Sequence, residues 1–290
     1  MVDSSDEVRA LSRRGIVCGP GETVLAFAAR VKHQLGLTAD EIRLHPSFSC
    51  AFSECAVVHA WALSSYRQAL ALLNARLDAS LDALDWVLVV VSGAGLGTGM
   101  MGACHERIDF PGREGVRLVF IQLHPTCFCS PAFECTVIAH EFVHAVRSQL
   151  VGDADDDDDE VFAYQLSDSR LERWVGPLHR SWFRHLVVGS FAVALNRNVL
   201  RAAFVGSLVV DAAHAYKLRG LLARVASRLE ASGMPCSGLL FRMSATELQT
   251  FGALLESGVP AGLALSRTVG ENNPARLQAL VMFLRTPSRL

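Results

Sequence analysis

The sequence predicts an α+β protein, with a small sheet over residues 86–123 set in a mostly helical chain. Three observations point there. Val87-Leu88-Val89-Val90-Val91 is an apolar, β-branched run of strand length, and Arg117-Leu118-Val119-Phe120-Ile121-Gln122-Leu123-His124 is a second strand pattern. Between them Pro111-Gly112-Arg113-Glu114-Gly115 carries the residues of a tight turn, so the second strand reads as the return limb of a hairpin. Outside this region the apolar spacing is helical.

From the N-terminus, Ser4-x-x-Glu7 and Thr38-x-x-Glu41 are capping boxes that open helices, and Val24 to Leu35 and Glu54 to Leu77 carry helical periodicity. Trp86 to Cys104 holds no charged residue over nineteen positions, but its five glycines and β-branched start fit a core strand followed by a Gly-rich loop better than a membrane span. Gly97-Thr98-Gly99-Met100-Met101-Gly102 matches a dinucleotide-binding loop in letters only. Neither a helix nor a second strand ending in an acid follows it, so a nucleotide cofactor is not expected. After the hairpin, Pro131 to Leu150 reads as one helix, with Pro131 suited to its first turn and Gly152 beyond its end. Further on, Asp211 to Ala231 and Ala275 to Leu284 are helical, Ser244-x-x-Glu247 is a third capping box, and Asn273-Pro274 reads as an N-cap with proline at the first helical position. No internal repeat is evident. The expected division is 1–180 for the sheet, the helices around it and any site they build, and 181–290 for a helical C-terminal region.

The helix from Pro131 contains His140-Glu141-Phe142-Val143-His144. Four residues rotate a helical side chain by only about 40°, so His140 and His144 stand one above the other and can grip a single ion. Glu141, turned away by about 100°, is placed to take a proton from a water activated by that ion. Val137, Ile138, Phe142, Val143, Ala145 and Val146 make the helix apolar on most sides, and two stacked imidazoles around a buried carboxylate need partners that a metal supplies simply. Arg147 and Leu150 stand where a metzincin would carry Gly and His, so the third ligand lies further on. Glu160, opening the helix-like stretch Glu160-Val161-Phe162-Ala163-Tyr164-Gln165-Leu166, is the next candidate.

Over residues 115 to 180 the chain therefore resembles compact gluzincins, zinc metallopeptidases of the HExxH type. The resemblance implies a zincin-like core of small sheet, HExxH helix and second-ligand helix. It implies Zn2+ as cofactor, held by His140, His144 and Glu160, with Glu141 as general base and acid and a peptide or protein as substrate. The strand before the HExxH helix, residues 116 to 123, would be an exposed edge above the metal that pairs with an extended substrate. Tyr164, one turn after Glu160, is a candidate donor to a developing oxyanion or a residue that caps the core. Two other classes remain open: an inactive zincin-like interaction module and a membrane-associated helical scaffold.

Asp153 to Glu160 has seven carboxylates in eight residues and is expected to form a solvated loop over 153–159, with helix from Glu160 onward. A ligand from this run in place of Glu160, or a calcium site, is the alternative, although the glycine and spacing of an EF-hand are missing. His185 to Val210 is apolar but broken by Asn196-Arg197-Asn198 and Arg201, which oppose a single span. It is expected to form two buried helices, with peripheral membrane association through 185–210 as the alternative.

With 290 residues, 51% hydrophobic, the chain can bury a large core. A net charge of -2, with Lys only at 32 and 217 and arginines scattered, excludes a nucleic-acid footprint. Met1-Val2-Asp3-Ser4-Ser5-Asp6-Glu7-Val8 lacks the basic start and apolar stretch of a secretory signal, which makes a cytoplasmic location the expectation. The eight cysteines are then expected as free thiols rather than disulfides or a second zinc site.

Overall fold

A computed structural model describes residues 5–36, 38, 56–91, 103–109, 117–150, 157–167, 173, 198–234, 237–270 and 273–284. Two helices open the chain, α1 (Ser5–Arg13) and α2 (Val24–Gly36). Strand β1 (Ala56–His59), a 3-10 turn and α3 (Tyr66–Leu77) follow. Next come β2 (Leu88–Val91), β3 (Ala103–Asp109) and β4 (Arg117–Leu123). The long α4 (Pro131–Arg147) and the short α5 (Asp157–Ala163) come after the sheet. The C-terminal part holds α6 (Asn198–Ala231), α7 (Ser237–Phe241), α8 (Ala245–Glu256), α9 (Ala261–Val269) and α10 (Pro274–Leu284). The architecture is mixed α+β and mostly helical, with one small sheet, as the sequence predicts.

The sheet order is β1-β2-β4-β3. β2 and β4 run parallel, with Leu88 opposite Phe120, and β3 and β4 form the expected hairpin, with Asp109 opposite Arg117. Its turn, like the Gly-rich loop, Thr38-x-x-Glu41 and Ser4, involves residues outside those described. Two expectations are corrected here. The strand of residues 116–123 is not an edge: β4 is paired on both sides, and the terminal strand next to it is β3. The stretch Glu54 to Leu77 is not one helix, because Ala56–His59 pairs antiparallel with β2. Leu88, Val89 and Val90 are buried, so the free edge of β2 needs backbone partners, and the β-branched Val57 and Val58 favour supplying them.

A single apolar cluster joins the two halves of the chain. It includes Phe27, Leu73, Val89, Ile121, Phe142 and Val143, and equally Phe241, Leu248, Phe251 and Leu280. The expected boundary at residue 180 lies outside the described residues. Two fully buried arginines stitch the same halves together. Arg242 donates to Ser12 O (3.2 Å), Gly238 O (3.1 Å) and Ala79 O (2.6 Å), and its guanidinium lies 3.8 Å over the Phe283 ring. Burial, and then the neighbouring charge of Arg276, bring Arg242 down to about 9. Arg276 forms a fork onto Glu247 (3.0 and 2.6 Å) and donates to Cys18 O (2.9 Å). Glu247 is at the same time the capping-box partner of Ser244, and Asn273 accepts from Arg276 N as the predicted N-cap of α10.

Of the tract 185–210, residues 185–197 lie outside the described residues. Residues 198–210 are the first turns of α6, which continues unbroken to Ala231, and Val209 and Val210 are 61% and 66% exposed rather than buried. Further along this helix Ala215, Leu218, Val225 and Leu229 are buried along one stripe. Among the described residues no helix is long and apolar enough to cross a membrane. Cys18, Cys127 and Cys135 are free thiols.

Gly15 makes the turn after α1 possible. It sits at φ 73°, and a Cβ there would clash with Leu84 Cδ2 and come within 3.0 Å of Val146 Cγ2. Gly15→Ala is expected to lower the unfolding free energy by about 2–4 kcal/mol, the sum of a left-handed penalty and overpacking. Urea denaturation of parent and variant checks this, and a loss below about 0.5 kcal/mol, the usual size for a neutral surface change, would contradict it.

Candidate metal centre

Helix α4 positions the site because its sequence is helical on every count except an N-terminal side-chain cap. Pro131 stands in the first turn, and Glu134, buried there, accepts hydrogen bonds from Ser64 and Ser65 at the start of α3. Phe142 meets Tyr66 of α3 edge-on at 5.8 Å, which fixes the rotation of α4 about its axis. With that face inward, His140 and His144 project together toward α5. Their Nε2 atoms are 3.2 Å apart.

Glu160, on α5, closes the group from the other side. Its Oε2 lies 3.4 Å from His140 Nε2 and its Oε1 3.6 Å from His144 Nε2. The three donor atoms fall within 4.8 Å of one another, the only such set of three among the described residues. Bonds of about 2.0–2.1 Å in a tetrahedral site put neighbouring ligand atoms about 3.3–3.4 Å apart, close to the separations here. Two imidazoles and one carboxylate are also the donor set of catalytic zinc sites, so the residues present fit that ion. The group is open on one side: the His140 side chain is 21% exposed, against 2% for His144 and 11% for Glu160.

The electrostatics favour a cation at this point. Burial alone would pull the His144 imidazole down, but Glu160, with Glu141 and Asp159 behind it, pushes it up to about 9. Burial likewise works against the Glu160 carboxylate, yet the two imidazoles hold it well below the usual range. Glu141 is buried on the same helix, at 5% exposure. The Glu160 carboxylate thus meets two imidazoles, with the charges of Glu141 and Asp159 acting on His144, in a largely buried setting where positive charge is favoured. The ring of Tyr164 lies edge-on to His140, with centroids 4.9 Å apart, and holds the more exposed imidazole from outside.

What brings Glu160 to this position is its neighbour. Asp159 is fully buried and pairs at 2.6 Å with Arg147, itself fully buried and one turn beyond His144 on α4. Arg147 also donates to the carbonyls of Phe241 (2.9 Å) and Met243 (3.2 Å), and its guanidinium lies 3.8 Å over the Phe162 ring. The pair therefore clamps α5 against α4 and anchors both to the C-terminal helices. Of the solvated loop expected over 153–159, residues 153–156 lie outside the described residues, and the expectation is corrected from Asp157 onward. The helix begins at Asp157, and Asp159 is the most deeply buried carboxylate beside the site, because a full-strength cation waits for it inside. Comparison with protein-family models, curated proteins and solved structures found no match. The chemistry of the site rests on its own geometry.

The structure thus brings His140, His144, Glu160 and Tyr164 together, with Glu141 buried one residue along from His140. Sequence reasoning missed Arg147 and Asp159 as a pair. The available signal was an arginine in the inward-facing last turn of an otherwise apolar helix, since such a charge requires a buried partner.

Proposed function

We propose that this chain is a zinc-dependent metallopeptidase of the HExxH type, with the sheet, α4 and α5 as a zincin-like core. The convergence of His140 Nε2, His144 Nε2 and a Glu160 oxygen at tetrahedral-edge separations supports this most directly. When bound, zinc would polarise the scissile carbonyl and make an attacking water more acidic. Glu141 takes the proton from that water and returns it to the leaving amine, a double duty suited to a carboxylate one residue along from a ligand. Tyr164 steadies His140 through its ring, and its hydroxyl is the candidate donor to the developing oxyanion. Because His140 is the exposed ligand, the substrate approaches from its side. An extended peptide would pair with β3, the terminal strand, rather than with β4.

Metal analysis of the purified protein tests this reading. One zinc per chain is expected. Glu160→Ala should lower zinc affinity by about 100-fold or more, as loss of a direct ligand exceeds the usual 10–100-fold effect of an outer partner. Replacing Asp155 to Asp158 together by Asn should leave it within about threefold, because the proposed ligands are His140, His144 and Glu160. Zinc retained by Glu160→Ala and lost by the Asn variant would place the third ligand in the acidic run.

A further inference from the structure

The face of α4 that carries His140 and His144 points away from the core, and its character changes along the helix. Phe133, Val137, His140 and His144 follow one another at spacings of four, three and four, so they form one stripe. The opposite side holds Ile138, Phe142, Ala145 and Val146, all fully buried. At its C-terminal end the stripe is closed, since His144 is buried against Glu160 and Arg147 beside it is locked to Asp159. Toward the N-terminus it opens, from the partly exposed His140 through the half-buried Val137 to Phe133, which is 44% exposed. A helix face turned to water ordinarily carries polar side chains, yet the open end here is apolar. Thr136, the polar neighbour, donates its hydroxyl to Ala132 O on its own helix (3.0 Å). Phe128, in the 3-10 turn Pro125–Cys129 that leads into α4, adds a second exposed aromatic at the same end.

We propose that Phe133 determines substrate specificity, as an outer subsite that takes a large apolar side chain about three residues from the bond that is cut. The inference rests on the peptidase reading and deepens it. The distance follows from helix geometry: seven residues at 1.5 Å each put Phe133 about 10 Å along α4 from His140. An extended peptide covers about 3.3 Å per residue, so a side chain three positions from the reacting bond reaches the ring. Continuity of the stripe names the occupant. The apolar surface runs through Val137 into His140, the ligand on the open side of the centre, so a peptide seated there passes over Val137 and then Phe133. Covering an exposed aromatic removes apolar surface from water, and only an apolar substrate side chain draws the full gain.

Mapping the bonds cut in a proteome-derived peptide library tests the subsite, using the zinc-loaded parent, Phe133→Ala, Phe133→Leu and Leu263→Ala. Leu263→Ala removes a similarly exposed apolar residue from α9 and serves as the control. The parent is expected to favour Leu, Ile, Met or Phe at one position about three residues from the cut, and the library reports on which side. Phe133→Ala should lose that preference and about tenfold in kcat/KM on the favoured peptides, while Phe133→Leu stays within about threefold and Leu263→Ala matches the parent. Peptides carrying Ser at that position should be cut equally by all four proteins. Binding of the favoured and Ser peptides to the Glu141→Gln variant, followed by fluorescence anisotropy, should show the same preference without turnover and lose it when Phe133→Ala is added. Cleavage by the parent with no apolar preference at that distance, or a Phe133→Ala variant that keeps the preference, would overturn the subsite and leave the peptidase reading standing. A zinc-loaded parent that cuts no peptide would sink that reading, and the subsite with it.

Discussion

Glu141→Gln is expected to abolish peptide hydrolysis while the protein keeps its zinc. Gln preserves the size of the side chain and its place inside α4 but cannot accept a proton at neutral pH. Loss of a general base costs about 10²–10⁴ in rate, and because the proposed residue serves both proton transfers, the upper end of that range is expected. Glu141 is not among the three convergent donors, so zinc stoichiometry should stay at one per chain. Hydrolysis of a peptide library by the two proteins, paired with metal analysis of both, gives the comparison. A Gln variant that turns over as fast as the parent would refute the role given to Glu141. A variant that loses its metal would show instead that this carboxylate is a ligand.

The second large effect is expected at Arg147, which touches no substrate. Arg147→Ala leaves Asp159 charged and fully buried with its cation gone, and also strips the Phe241 and Met243 carbonyls of a donor. Breaking a buried pair on one side costs about 3–5 kcal/mol, a large part of the 5–15 kcal/mol by which domains are stable. Zinc affinity should fall as well, because the clamp sets the position of the next residue, Glu160. The double variant Arg147→Met, Asp159→Leu removes both charges and should recover more than half of the lost stability. Denaturant unfolding of the metal-free proteins separates stability from affinity. A single variant that loses less than about 1 kcal/mol, the worth of an exposed pair, would mean that the pair does not hold α5 in place.

The contrast between these two residues explains what was legible in the sequence. His140, Glu141 and His144 are related by helical geometry alone, so their spacing carried the site without any knowledge of the fold. Glu160 was found from a local change of character, loop-like acids giving way to a helical pattern, although that helix starts three residues earlier. Arg147 and Asp159 escaped because their meaning lies in a contact between two elements. Read singly, one is a basic residue near a helix C-terminus and the other belongs to a charged run, each at home in water. The sheet divides in the same way. The β2 run and the β3–β4 hairpin were visible from composition and turn residues, whereas β1 is defined only by its pairing with β2, and four residues cannot display a strand period against the helix that follows. Which strand is the edge depends on that long-range order and could not be read locally.

The clamp also fixes when the site can exist during synthesis. Arg147 has its carbonyl partners at Phe241 and Met243, 94 and 96 residues downstream, and at the pace of translation, about 5–20 residues per second, these leave the ribosome several seconds or more after α4. Through that interval α4 carries both imidazoles and an unfinished buried charge, so zinc taken up early would be held by an incomplete set. Arg242 and Arg276 postpone closure further, since their bonds to Ser12 and Cys18 span 230 and 258 residues and such distant contacts form late. The centre is thus among the last parts of the molecule to be completed, although the residues that define it lie in the middle of the chain.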